Sequence, residues 1–558
     1  MMLQSVRYSP LSVIILVGVF LASCKSSSEP PENDIVKDKE KLSVHVTTNI
    51  DKFLTYASDN KSQLNDSLSL HGLDLVKKVY EIEKNGSIWS EDDAWKPIAD
   101  SLFSDIEDSR SSGLFPMDYH YHELAVIRKE FAADSLQRRD AALWAKADLL
   151  LTDAFFEMAR HLKLGRIPRD STTLRNDSLY DEAYFLKTFS AARATGAVLQ
   201  TLHGLEPAWP EYLMVKAGIR SFLDSANFKR FTYLDFPAKD SSKFSELLAR
   251  RLAEEGMYNG PTLPDTASLG AAIRSYQAAK DIKVTGKISD GMVRVLNNTD
   301  QEKFKRIAIT LDRYKLMPES QPQSYVFVNL AAYLLYVYDD DTISLTSKVI
   351  IGAPKKNTPL LNASISNFIT YPQWTVPYSI IFKEMLPKIR KNVSYLEHQN
   401  LMIVDRNDSV VDPNLVDWSK MNEKHFPYLI RQRQGDDNSL GVMKFNFANK
   451  YSVYLHDTNA RGLFSRSSRA LSHGCVRVQK WESLSRFLVR SDTIRFPTDT
   501  LAAWIGRREK HTVSGFPRVP LFIRYFTVEG KNDRLIFYSD IYGYDRIDRN
   551  KFFSKRKV

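Results

Sequence analysis

The chain has 558 residues, 43% of them hydrophobic, and 77 basic against 67 acidic residues give a formal charge of +10. That length predicts about three or four domains with ample material for buried cores, and beyond the first two dozen residues no stretch reaches the roughly eighteen apolar residues of a membrane-spanning helix. The modest basic excess suits an anionic polymer or a membrane surface. The absence of any recognition motif argues against nucleic acid as a partner.

Residues 1–23 read as an export signal. Arg7 supplies a positive start, and Leu11 to Leu21 is an apolar run too short for a comfortable span. The run closes in Leu21-Ala22-Ser23-Cys24, which resembles the lipobox of bacterial lipoproteins. In that family cleavage precedes the cysteine, and Cys24 is then lipidated. The alternative is an ordinary signal peptide cut near Ala22, with Cys24 incidental. Residues 24–41 are expected to be a flexible tether. The chain has only two cysteines, so a lipidated Cys24 leaves Cys475 as a lone thiol with no internal disulfide open to it.

Residues 42–235 carry a helical pattern. In Asp140 to Leu164, apolar residues recur at three- and four-residue steps, which predicts an amphipathic helix ending before Gly165. Residues 236–300 predict three short helices around a Val284-Thr285-Gly286-Lys287-Ile288 turn, with Tyr276-Gln277 in the second helix and Leu296-Asn297 at the close of the third. This unit resembles the small peptidoglycan-binding domain; a purely structural role is the alternative. A linker helix at 301–323 leads to residues 324–548, where Tyr325 to Asn329, Tyr333 to Tyr338, Lys348 to Gly352, a hairpin of Met443 to Phe447 and Tyr451 to Leu455, Leu521 to Thr527 and Leu535 to Tyr538 predict strands. Between residues 381 and 434 the β texture lapses into a charged insertion, read either as a lid over a cleft or as a surface excursion. Residues 549–558 form a basic tail.

The chemistry concentrates in Leu471-Ser472-His473-Gly474-Cys475-Val476-Arg477. A second histidine, His456, lies upstream in Tyr454-Leu455-His456-Asp457, with fifteen residues between it and Ser472. A thiol needs a neighbouring base or cation to ionise near neutral pH, so a cysteine with histidine partners is the minimum equipment for acyl transfer through a thioester.

Together with Val349 to Gly352, Thr358-Pro359, Pro372 to Pro377, Asn438 to Gly441, Lys444-Phe445 and Ser539 to Asp545, this motif resembles the large, scaffold-bearing L,D-transpeptidases with a YkuD-type catalytic domain. The resemblance implies a multidomain α+β protein: an all-α scaffold region, a three-helix peptidoglycan-binding-like domain and a mostly-β catalytic domain with a lid insertion. It implies that Cys475 is the nucleophile and His456 its base, with a thiolate–imidazolium pair lowering the thiol pKa. The amides of Gly474 and Cys475 would form the oxyanion hole, shaped by His473 and Tyr454. Ser472, Arg477 and Trp374 complete the candidate substrate site. Arg477 would hold a substrate carboxylate or form a structural ion pair; Trp374 would wall the cleft or fill a core. Smaller family members carry Asn where this chain has Arg477, so no role of that Asn transfers.

The implied reaction joins peptidoglycan stem peptides 3→3, with release of D-Ala from a tetrapeptide donor to a stem amine. Carbapenem-type inhibitors would acylate the cysteine, and no cofactor or metal is expected. L,D-carboxypeptidase activity and protein-to-peptidoglycan linkage or cleavage share the same thioester. A lipid-tethered, non-catalytic wall anchor is the reading from another class. Lys25 after Cys24 favours an outer-membrane attachment facing the periplasm.

Overall fold

The computed structural model describes residues 29–556 and 558, apart from 498. The expected signal peptide and Cys24 lie outside the described residues. Two compact units emerge: one takes the chain up to Asp100 together with His122–Glu157, the other Ser101–Tyr121 together with Met158–Val558.

The first unit is helical, with small hairpins such as Gln63–Asn65 against Leu68–Ser69. The expected tether is shorter than 24–41. Val36 N–H donates to Arg139 O at 2.8 Å and Ala141 N–H to Asp34 O at 2.8 Å, so the chain is tied down from Asp34 onward. The amphipathic pattern around residue 150 forms the helix Ala141–Lys163.

In the second unit, Ser241–Glu254, Thr266–Ala279 and Asp290–Leu296 make the three-helix module around a core of Leu248, Leu252, Ile273, Tyr276, Met292 and Leu296. Its signature residues are fully used by the fold. The buried Gln277 carboxamide accepts from the Thr285 and Gly286 N–H groups at 2.8 and 3.0 Å and donates to Lys287 O at 2.9 Å. Gly286 sits at φ +67°, a conformation that favours glycine. Asn297 clamps Leu234 through both backbone groups, at 3.0 and 2.8 Å.

The strands after residue 323 close on themselves. In order they are Thr342–Gly352, Val476–Val478, Leu455–His456, Met443–Phe447, Leu361–Thr370, Thr512–Arg524, Ser324–Asn329 and Leu334–Asp339; the last pairs back to Thr342–Gly352, and Ala470–Ser472 flanks the closure. Alternate residues fill the interior: Val326, Val337, Ile351, Phe368, Phe445, Leu455, Val476 and Leu521 are all buried there. The opposite face of several strands packs on helices through Trp209, Tyr212, Phe304, Tyr325 and Phe526. The multidomain α+β class read from the sequence holds.

The charged insertion is a folded subdomain rather than a loop. Strands Val410–Val411, Leu401–Val404, Leu429–Gln432 and Trp374–Thr375 form their own sheet, over a core of Val376, Ile381, Leu386, Ile389, Ile403 and Ile430. This sheet recruits Trp374, ahead of the expected boundary at 381. At the other end of the domain the basic segment is anchored: Arg549 donates two hydrogen bonds to Glu302, both at 2.8 Å, and Phe553 is buried.

Candidate active site

The site occupies the outer face of three adjoining strands. Leu455–His456 runs parallel to Val476–Val478, with Leu455 opposite Val476 and His456 opposite Arg477. Leu455–His456 is also antiparallel to Met443–Phe447, with Lys444 opposite His456. Side chains alternate along a strand. Because Leu455, Val476 and Phe445 point into the core, His456, Arg477 and Lys444 all face outward. Tyr454 and Cys475, each two residues earlier on its strand, share that face. The Tyr454 ring stands 5.5 Å from the His456 ring, and Lys444 Nζ lies 4.3 Å from the centre of the Tyr454 ring.

Cys475 is half-buried, with Sγ 4.0 Å from Ser452 O. Burial pushes its thiol pKa up; Tyr454, Lys444 and Arg477, which all face it, work in the opposite direction. His456 is buried, and its Nδ1 makes no hydrogen bond. Burial, then the positive charge of Arg477 and that of Lys444, push His456 down to about 3. These directions oppose a preformed thiolate–imidazolium pair. Desolvation disfavours the charged form of both groups, and two cations further disfavour charge on the histidine.

The turn bearing the nucleophile is held by its own residues. Ser472 Oγ donates to Cys475 O at 2.6 Å and accepts from Gly474 N–H at 3.1 Å. Gly474 adopts φ +125°, outside the range of ordinary side chains. Its carbonyl accepts from Thr358 Oγ1 at 2.8 Å, which in turn accepts from Gly352 N–H at 2.9 Å. Tyr542 braces the same loop, donating to Gly352 O at 2.6 Å and accepting from Thr358 N–H at 3.2 Å. This corrects the oxyanion-hole expectation in part: the Gly474 amide is already engaged by Ser472. Among the described residues no hydrogen bond uses the Cys475 N–H, so that donor is open.

His473 does not point at the thiol. Its Nε2 donates to Glu384 Oε1 at 2.8 Å, and Lys356 Nζ donates to the same oxygen at 2.8 Å. Those two bonds hold the Glu384 carboxyl below its usual range, Lys356 contributing most. Glu384 belongs to the insertion, which therefore touches the nucleophile motif directly. Trp374 is partly buried against the insertion's core, and its side chain meets the Tyr454 hydroxyl. Of its two expected roles, the packing one is what the contacts display.

Lys444, Glu384 and Lys356 are the site residues that motif reading passes over. Lys444 carried a signal in its position on the strand beside the His456 strand. Glu384 carried none, being 89 residues from its partner. Arg477 forms no ion pair among the described residues, and its Nε is buried without a partner. Asp457, the next residue after His456, is buried and accepts from Val442 N–H at 3.1 Å and from Arg461 at 2.6 Å. A Cβ on Gly441 would fall 2.3 Å from the Asp457 carboxylate, which explains the glycine ending the Asn438–Gly441 block.

Residues 323–495 match the L,D-transpeptidase catalytic domain of the YkuD type, and residues 74–218 match the Scaffold domain. The chain thus contains one stretch matching the L,D-transpeptidase catalytic domain and, before it, one matching the Scaffold domain. A relative from Haemophilus influenzae, provisionally named an L,D-transpeptidase, is 36% identical over 250 residues, covering 43% of this chain and 48% of its own. The chain spans about half the length of that relative. A solved structure, the Ldtfm–avibactam carbamoyl enzyme, aligns over 39% of this chain and 61% of its own at 11% identity, with a TM-score of 0.17.

Proposed function

We propose that the protein is a peptidoglycan L,D-transpeptidase that forms 3→3 cross-links through a thioester on Cys475. The observation that carries this reading is the convergence of Cys475, His456, Tyr454, Lys444 and Arg477 on one strand face beneath a folded insertion.

The donor is a stem tetrapeptide. His456, neutral at rest, takes the Cys475 proton as sulfur attacks the carbonyl of the third residue, so charge separation occurs during reaction rather than before it. The oxyanion receives the Cys475 N–H and, opposite it, the Tyr454 hydroxyl. Collapse breaks the C–N bond, His456 returns its proton to the departing D-Ala amine, and the thioester remains. A neutral acceptor amine then attacks; His456 removes its proton, the C–S bond breaks, and the thiol is regenerated.

The insertion acts as a lid in this scheme. Its Glu384 contact with His473 and Lys356 holds it over the thioester, which disfavours water and favours an amine acceptor. Water as acceptor gives the L,D-carboxypeptidase outcome from the same intermediate. Leu21 to Cys24 support a lipid-attached envelope location facing the peptidoglycan. The test is product analysis with purified disaccharide-tetrapeptide: 3→3 dimers with released D-Ala support a transpeptidase, whereas tripeptide alone means a carboxypeptidase. Neither product would contradict the reading and leave a wall anchor.

A further inference from the structure

The catalytic face carries two cations and no anion. Lys444 and Arg477 stand on the strands either side of the His456 strand, and neither forms an ion pair with a carboxylate among the described residues. Lys444 is half-buried, and its ammonium lies over the Tyr454 ring at 4.3 Å from the ring centre. Arg477 has a buried Nε with no hydrogen-bond partner. Charges taken out of water without a counter-ion are costly to the fold. A protein that keeps two of them around one thiol holds them for an anion that arrives.

Resting on the acyl-transfer reading above, the chemistry of the donor identifies that anion. The residue expelled bears its free carboxylate on the α-carbon next to the breaking bond, one peptide unit of about 3.8 Å from the α-carbon of the acylated residue. A group that contacts this carboxylate must therefore flank the sulfur on the leaving side. Arg477 lies two residues after the nucleophile and is the register partner of His456. Lys444 stands on the far side of the His456 strand, its ammonium over the Tyr454 ring and with no carboxylate partner among the described residues. We propose that Lys444 is the specificity-determining residue of this site: it binds the terminal carboxylate of the donor and so selects stems that end one residue past the attacked carbonyl. A longer stem places a neutral peptide group at Lys444 and leaves the ammonium unpaired, which is how a site built for one charge rejects its homologue. Once the leaving residue departs, the cation is free again, and no product carboxylate remains in the thioester to hold it.

The test uses the full chain and two synthetic disaccharide-tetrapeptides, one ending in the free D-Ala carboxylate and one in its carboxamide. Acyl-enzyme formation is followed by intact mass. The wild type should acylate faster from the free acid, and Lys444→Met should shrink that preference by about 10- to 100-fold, the worth of one charge-assisted hydrogen bond. Lys444→Arg should keep most of it. Lys444→Gln replaces Lys444→Met if the latter yields no folded protein. If the Lys444 variants slow both donors by one common factor and leave the preference intact, the residue serves the thiolate or the fold and the proposal is wrong. A wild type that is acylated by neither donor overturns the acyl-transfer reading itself, a separate outcome.

Discussion

Two regions of the second unit carry conspicuous sequence motifs, and they use their polar groups in opposite ways. In the three-helix module, Gln277 and Asn297 satisfy backbone groups of their own turn and entry segment. On the catalytic face, His456 Nδ1 and Arg477 Nε are buried without a hydrogen-bond partner among the described residues, and the Lys444 ammonium faces the Tyr454 ring rather than a carboxylate. Buried polar groups are normally paired, so the first region has spent its motif on stability and the second holds its motif in reserve for a ligand. A motif is thus informative about function only once its hydrogen bonds have been followed.

The largest effect that could break this contrast lies at the nucleophile. Cys475→Ser should abolish covalent acylation and cross-linking while the protein stays folded, checked by intact mass and thermal unfolding. Retained acylation at another residue would remove Cys475 from the chemistry. Next is the base. His456→Ala should slow acylation by about 10²- to 10⁴-fold, the usual span of general base catalysis. The same residue makes a pH prediction. Its folded-state pKa of about 3 is below the ordinary value of 6.5, so the folded state resists protonation. Its contribution to stability is complete above pH 6.5 and is lost as pH falls toward 3, at up to about 1.4 kcal/mol per pH unit. His456→Ala should flatten that acid limb in unfolding measurements between pH 7.5 and 4, and an unchanged slope would mean the imidazole is not buried neutral.

A smaller effect is expected in the other region. Gln277→Ala leaves the Thr285 and Gly286 N–H groups without their acceptor, at a cost of about 1–3 kcal/mol. Unfolding of the three-helix module should shift accordingly while acylation of Cys475 proceeds at its normal rate. The smallest effect belongs to the insertion. Glu384→Gln weakens an exposed contact to His473 and Lys356, and exposed ion pairs contribute little. Hydrogen exchange across Leu386–Lys391 should rise, and the tripeptide share of the product should grow by about twofold or less. Unaltered exchange would mean that this contact does not hold the insertion in place.

Much of this was legible in the chain. Richness in β-branched and aromatic residues located the strands at Ser324–Asn329 and Leu334–Asp339, because such side chains fill the barrel core on one face and pack on helices on the other. The three- and four-residue apolar repeat located Ala141–Lys163, although that helix is buried over most of its surface. The insertion misled because its core residues, Ile381, Leu386, Ile389, Ile403 and Ile430, are scattered among charges on short elements that sustain neither periodicity. The Glu384–His473 contact and the clustering of Lys444 with Arg477 depend on which distant strands become neighbours, which no local pattern encodes. The protonation states were hidden too. A cysteine and a histidine at family spacing suggest an ion pair; burial of both groups and the two cations beside the histidine, properties of the folded face, work against charge on the imidazole. The occupied Gly474 amide depends on a hydroxyl two residues away, and only the turn geometry reveals it.

The account stands on Cys475 as the acyl carrier, and one measurement reaches it without intermediaries. The purified chain is incubated with disaccharide-tetrapeptide in the absence of an acceptor, quenched in acid, and weighed intact before peptide mapping. The predicted result is a mass gain equal to the donor minus D-Ala, mapped to the peptide containing Cys475 and removed by hydroxylamine as a thioester should be. D-Ala released from a protein that never gains mass, or an acyl group mapped to any other residue, would contradict the account.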